Sequence, residues 1–161
     1  MADVTSLSER IDAEFEAARR RSTSLLNEDD SYSEGRWKRL EQVDATLTEI
    51  RGLWRDRLSQ LGKWFGDRIK LQAQIAVGSR LATFCLKSPK ADIELRFSAL
   101  TDEDVRHVIF QYDLDIVPAE IAYDAHSELT FPIDQIDRLK LVEWIYDRMI
   151  CFGKTYIAMN E

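Results

Sequence analysis

Four residues in the second half of the chain have the chemistry of ligands for a weak metal site. Asp113 and Asp115 lie two positions apart in residues 105–117, where apolar and polar residues alternate. Residues two apart share one face of a strand, so both carboxylates point the same way. Asp124 and His126 approach them if the next strand folds back. Carboxylate oxygens and one imidazole can hold a divalent cation, but solvated side chains on the wet face of a sheet are the competing interpretation, since no dedicated ligand loop is present.

Other residues with catalytic potential match no familiar spacing. The six glycines are scattered outside phosphate-binding patterns, and no HExxH, CxxC or nucleophile elbow occurs. Of the two histidines, His107 falls on the polar phase of the predicted strand and His126 in a turn, so we expect both at the surface. Cys85 and Cys151 have apolar neighbours and are expected to be reduced, buried thiols. The sequence predicts no cofactor and no catalytic residue, and a non-enzymatic role is favoured.

Composition limits the class of partner. A chain of 161 residues that is 45% hydrophobic and 32% charged fits one globular domain with a helical extension. The net charge of −7 lacks the basic footprint expected for binding nucleic acid or an anionic membrane. No signal-like start and no run of 18 apolar residues is found, so we interpret the chain as cytoplasmic, with neither nucleic acid nor membrane as a partner.

The predicted strand that carries the acidic residues organises the second half of the chain. Its apolar phase is continuous and consists of Val108, Phe110, Tyr112, Leu114 and Ile116. Similar alternation predicts further strands over residues 69–77, 80–87, 91–99, 120–124 and 128–133, with Gly78-Ser79 as a hairpin turn. Short links predict an antiparallel meander of five to six strands. Helix over residues 68–77 stays open as an alternative, because that segment contains no helix breaker.

Helical periodicity dominates the first 66 residues. Residues 1–27 read as a helix capped by Ser6 or Ser8, residues 27–35 as a loop, and residues 36–66 as one long helix. Along the long helix a heptad-like helical seam is interrupted by Arg57 and comprises Leu40, Val43, Leu47, Ile50, Trp54, Leu61 and Trp64. Such a seam suits a coiled-coil partner or packing on the protein's own sheet.

The last segment reads as a helix that covers the sheet. Asp134 is the expected N-cap, and one apolar stripe steps by three and four through Val142, Ile145, Met149, Phe152, Tyr156 and Met159. Leu141, Trp144 and Ile157 lie off this stripe and offer a second apolar surface. The predicted fold class is α+β, with a helical arm or hairpin over residues 1–66 and an antiparallel sheet with its C-terminal helix over residues 67–161.

Several short motifs carry a family resemblance over residues 80–160. They are Tyr112-Asp113-Leu114, Pro118, His126-Ser127-Glu128-Leu129 and Trp144-Ile145-Tyr146-Asp147-Arg148. This region resembles an uncharacterised bacterial domain of planctomycete type, often followed by a small YHS-like module that implies metal association. The module is not found in this sequence, which counts against metal chemistry. The resemblance implies a domain boundary and no catalytic residue.

Three functional hypotheses follow. The favoured one is a protein–protein interaction or scaffold protein that self-associates or docks through the helical seam, because an exposed seam would form an unusually large apolar patch. The alternative is a ligand- or metal-binding protein or enzyme using the acidic face around Asp113, Asp115, Asp124 and His126. A secretion-type chaperone shares the layout of helix, sheet and helix, which is an analogy of fold alone.

Overall fold

The computed structural model describes residues 4–26 and 34–160, with side chains described for 7–18 and 35–160. Its helices are α1 (Val4–Leu26), α2 (Glu34–Glu49), α3 (Arg51–Leu58), α4 (Gln60–Phe65) and α5 (Arg138–Met159), and a 3₁₀ turn spans Gly66–Arg68. Its strands are β1 (Ile69–Ala76), β2 (Ser79–Lys87), β3 (Asp92–Thr101), β4 (His107–Val117) and β5 (His126–Pro132). The predicted α+β architecture is confirmed. The predicted cap at Ser6 or Ser8 is wrong, because the backbone of both residues lies within α1. Of the predicted loop over residues 27–35, residues 34 and 35 belong to α2 and the rest lies outside the described residues.

The sheet is a meander in which each strand pairs antiparallel with the next, in the order β1 to β5. Strand β1 confirms the strand reading of residues 69–77 and excludes the helical alternative. The predicted strand over residues 120–124 is wrong. That segment instead closes the end of β4 irregularly, because Leu114 N donates to Ala125 O and Ile116 N donates to the Tyr123 hydroxyl.

Two turns differ from the prediction by one or two residues. Strand β4 begins at His107 rather than at Val105, because Val105 takes a φ of 55° in the turn and donates to Asp102 O. The first hairpin turns at Val77 and Gly78, with Ala76 paired to Ser79. Gly78 has a φ of 74°, which glycine adopts without the steric penalty of a side chain.

All helices that contact the sheet cover its apolar face. The apolar phase of β4 is buried as predicted, and it belongs to one hydrophobic core that includes residues of every described helix. Helix α1 packs on β1, where Arg10 donates to Ile69 O at 3.3 Å. The opposite side, which we call the open face, is accessible to solvent and displays the alternate residues of the five strands. Its central members are Glu94, Arg96, Ser98, Gln111, Asp113, Asp115, His126 and Glu128.

The helical seam is not a free surface, which corrects the prediction. The long helix of residues 36–66 is divided at Ile50 and Ser59 into α2, α3 and α4. Most seam residues are buried in the chain's own core or packed against it: Leu40, Val43, Leu47, Ile50, Trp54 and Leu61. Trp64 differs, with 42% of its surface exposed. The apolar face of the sheet needs a cover, and the nearest apolar seam belongs to the same chain. The described parts of the two predicted regions, 1–66 and 67–161, therefore share one core.

Helix α5 begins three residues later than predicted. Its N-cap is Asp137, whose side chain accepts from Lys140 N at 3.1 Å, and Asp134 lies in the preceding turn. The buried stripe comprises Leu141, Ile145, Met149, Phe152 and Met159. Val142 and Tyr156 are only half-buried, so the stripe is rotated slightly from its predicted position. Within the described residues, no helix has the length and hydropathy needed to cross a membrane.

Candidate functional site

A histidine held between two carboxylates lies at the centre of the open face. The β4–β5 register places Asp113 opposite His126, and His126 Nδ1 is 2.6 Å from Asp113 Oδ1. The other ring nitrogen, Nε2, is 3.0 Å from Glu128 Oε1. The hydrogen bonds to Asp113 and Glu128 raise the pKa of His126, and the bond to Asp113 has the larger effect. The predicted pair Asp113 and His126 is thus brought together, with Glu128 as a partner that the sequence prediction missed.

The two carboxylates favour the protonated form of the His126 ring. Both nitrogens of His126 are engaged by carboxylates, so neither is free to act as a general base. Glu128 also accepts from Gln111 Nε2 at 3.0 Å, which ties the cluster to β4. The chemistry supported is an exposed ionic link between β4 and β5.

The other two predicted ligands point elsewhere. Asp115 accepts from Arg96 at 3.1 Å on the open face, whereas Asp124 accepts from Arg148 of α5 at 2.9 Å. The predicted set of four is therefore split between the open face and the α5 side. In the part of the chain that is described, no three His, Cys, Asp or Glu side chains are placed to hold a metal ion. The metal hypothesis has no supporting geometry there.

His107 pairs with Asp102 at the turn between β3 and β4. Its Nδ1 lies 3.0 Å from Asp102 Oδ2, and Asp102 Oδ1 also accepts from the backbone N–H groups of Arg106 and His107. These hydrogen bonds, led by the one from the His107 ring, lower the pKa of Asp102 to about 2. These hydrogen bonds stabilise the β3–β4 connection, so the fold accounts for the contacts of His107 and Asp102.

A shallow groove of about 730 Å³ at one end of the open face has no consistent charge. Cationic Lys70 and Lys87 line it beside anionic Glu94 and Asp115, so opposite charges largely cancel any field that would select a charged ligand. Cys85 lies in this groove, and burial followed by the Glu94 charge raises the pKa of its thiol. A raised thiol pKa disfavours the nucleophilic thiolate.

Most of the large apolar residues that remain exposed lie on two neighbouring helices. In the described part of the chain they are Trp64, Val117, Leu139, Tyr146 and Ile157, and all except Val117 lie on α4 or α5. A groove of about 450 Å³ runs between α3–α4 and α5, bounded by Trp64 and Tyr146. We define the α4–α5 surface as Trp64, Leu139, Val142, Tyr146, Ile150, Gly153 and Ile157.

Packing beneath this surface positions Trp64. The Trp64 ring lies over Gly153 of α5, and a Cβ added at that position would be 3.6 Å from the indole, in ordinary van der Waals contact. The neighbouring Phe65 ring packs edge-on against Trp64 with centroids 6.3 Å apart. Phe65 is anchored in turn by Tyr156, at 4.8 Å between centroids. Trp64 is thus a supported aromatic side chain with 42% of its surface exposed.

Comparison with models of protein families, with characterised proteins and with solved structures gave no significant match. The resemblance of residues 80–160 to a planctomycete-type domain therefore stays a prediction.

Proposed function

We propose that this protein is a non-enzymatic protein–protein interaction or scaffold protein that docks through the α4–α5 surface. The carrying observation is that four of its five exposed large apolar residues in the described region lie on this one surface. Contiguous exposed apolar surface is characteristic of interaction sites, and aromatic residues are enriched at the centres of such interfaces. Trp64 and Tyr146 meet that description, at 42% and 56% exposed.

The proposal moves the docking site from the helical seam to the outer side of α4 and α5. Seam residues such as Leu47 and Leu61 are 0% exposed and pack in the core, so a partner could reach them only by unfolding the chain. Trp64 alone connects the two descriptions, because it ends the seam and also belongs to the α4–α5 surface. The open face supports docking less well, because its ionised side chains already pair with each other.

Site-specific photo-crosslinking tests this proposal. A benzophenone amino acid replaces Tyr146 in one variant and Val117 in a matched control, since both positions are exposed, at 56% and 67%, and lie on different elements. The variants are irradiated in cells that naturally contain the protein, and each adduct is sequenced by mass spectrometry. We expect one reproducible partner sequence joined at position 146 and none at position 117.

A second substitution makes the result specific. Trp64→Ser removes the other aromatic side chain of the groove without touching position 146, and we expect it to abolish the adduct. Equal labelling at positions 146 and 117, or labelling at 146 that persists without Trp64, would contradict docking at the α4–α5 surface.

A further inference from the structure

Three exposed and three half-buried apolar residues of α5 form a stripe along the helix. At about 100° per residue, the six members of the α4–α5 surface on this helix fall within about 80° of its circumference. They extend from Leu139 to Ile157, almost the full length of α5. A stripe of this kind on the outer side of a helix matches another helix laid along it.

Charged residues follow one flank of this stripe. Glu143 and Lys154 are both exposed, and helical geometry places them on the same side of Tyr146, at about 60° and 80° from it. Within the described residues, neither forms an ion pair in its own chain. The helix thus carries an acid towards its N-terminal end and a base towards its C-terminal end, both without partners there.

We infer that the occupant of the α4–α5 surface is a second copy of this chain, with the two α5 helices packed antiparallel about a two-fold axis. The inference rests on the proposed docking function and names its partner. A two-fold axis near position 148 or 149 reverses the helix and keeps the charged flanks adjacent. Glu143 then lies opposite Lys154 of the other copy, and the pair occurs twice.

The same geometry discriminates against a parallel pair. In a parallel arrangement the two-fold axis runs along the helices, so the charged flanks of the two copies lie on opposite sides of the contact and Glu143 has no Lys154 opposite it. The antiparallel arrangement also places Leu139 near Ile157 of the other copy at both ends of the stripe. Apolar and charged contacts therefore favour the same orientation.

The size of the contact predicts a moderate affinity. Helix α5 has 22 residues and spans about 33 Å, with Trp64 widening the stripe on one side. A helix pair of this length falls towards the lower end of interface size, below the usual total of about 1,600 Å². We expect a dimer with a dissociation constant in the micromolar range, on the order of 1–100 μM.

Charge reversal tests the inference by sedimentation equilibrium of the full chain. The wild type is expected to approach twice its mass of 18.7 kDa as concentration rises. Glu143→Lys and Lys154→Glu each replace two attractive pairs by two repulsive ones, so each should raise the dissociation constant about tenfold. The double variant restores opposite charges, and we expect it to return to within about threefold of the wild type.

Two control variants separate this interface from general effects of charge and apolarity. Glu120→Lys reverses an exposed charge in the loop after β4, and Val117→Ser removes an exposed apolar side chain at the end of β4. Both should leave the dissociation constant unchanged, whereas Tyr146→Asp should give a monomer. Circular dichroism and thermal melting verify that every variant is folded.

Each other outcome overturns the inference. A wild type that stays monomeric up to about 1 mM excludes a functional second copy. If Tyr146→Asp leaves the dissociation constant unchanged, the dimer uses another surface. If the double charge variant dimerises as weakly as the single variants, the antiparallel pair is excluded. The docking function fails separately: if an adduct at position 146 contains a different protein, docking stands and only self-association is refuted.

Discussion

Removing Asp44 should destabilise this protein strongly, because its partner is a buried arginine. Arg80 lies in the apolar phase of β2 with 7% of its surface exposed, and its guanidinium donates to Asp44 Oδ1 at 2.9 Å. The same guanidinium donates to Ser79 O at 2.8 Å and to Thr48 Oγ1 at 3.2 Å. Asp44 also accepts from Gly78 N at 3.2 Å, so this ion pair fastens α2 to the β1–β2 hairpin.

The size of each loss in the free energy of unfolding depends on which charge stays buried without its partner. Asp44→Ala leaves the Arg80 cation buried without its anion, and breaking a buried pair in this way costs about 3–5 kcal/mol. The remaining carbonyl and hydroxyl acceptors moderate the loss, so we expect about 3 kcal/mol. Arg80→Met leaves Asp44 with the Gly78 N–H and a side chain that is 25% exposed, and should cost about 2 kcal/mol.

Urea unfolding monitored by circular dichroism measures these losses, provided that the m-value is unchanged. The double variant Asp44→Ala with Arg80→Met removes both charges, so its loss should be smaller than the sum of the single losses by about 1–2 kcal/mol. A loss below about 1 kcal/mol for Asp44→Ala, or strict additivity in the double variant, would refute the buried-pair reasoning.

Three further substitutions test other contacts. Tyr112→Phe should raise the free energy of unfolding by up to about 1 kcal/mol in urea titrations, because it removes a buried hydroxyl that has no partner among the described residues. Asp102→Asn should destabilise most above pH 3.8, and its difference from wild type in urea titrations should shrink as pH falls towards 2, since the wild-type carboxylate, with its pKa of about 2, becomes half protonated there. NMR titration should give His126 a pKa above 6.5 that falls in Asp113→Asn, and the stability from this pair should be full below pH 6.5 and lost as pH rises through the native pKa. An unshifted His126, a pH-independent Asp102→Asn difference or a destabilised Tyr112→Phe would each contradict the contact concerned.

Period-two alternation was sufficient to predict most of the sheet. The buried phase of β4, from Val108 to Ile116, appears in the structure as predicted, because one face of an antiparallel sheet must be apolar. The positions of the turns were harder to predict from the sequence. Val105 is a β-branched residue with a φ of 55°, a conformation that sequence preference argues against. Only the hydrogen bonds to Asp102 and complete burial of its side chain explain it.

The candidate site was harder to predict, because it depends on which helix covers the sheet. A heptad-like seam looks the same whether it meets another chain or its own sheet, and the seam from Leu40 to Trp64 turned out to pack mainly on its own core. The off-stripe residue Ile157 was a usable signal for the outer surface of α5. Asp44 and Arg80 are 36 positions apart, so no local pattern could reveal their pair.

The distance between two α5 helices tests the central claim most directly. A nitroxide label is attached to Leu139→Cys after Cys85 and Cys151 are replaced by alanine, and pulsed dipolar spectroscopy is recorded on the concentrated protein. Antiparallel packing centred near position 148 or 149 predicts an intermolecular distance of about 30 Å, whereas a parallel pair would give about 10 Å. A distribution centred near 30 Å that disappears in Tyr146→Asp is the predicted result. The absence of any intermolecular distance, or a distance unchanged by Tyr146→Asp, would contradict self-association through the α4–α5 surface.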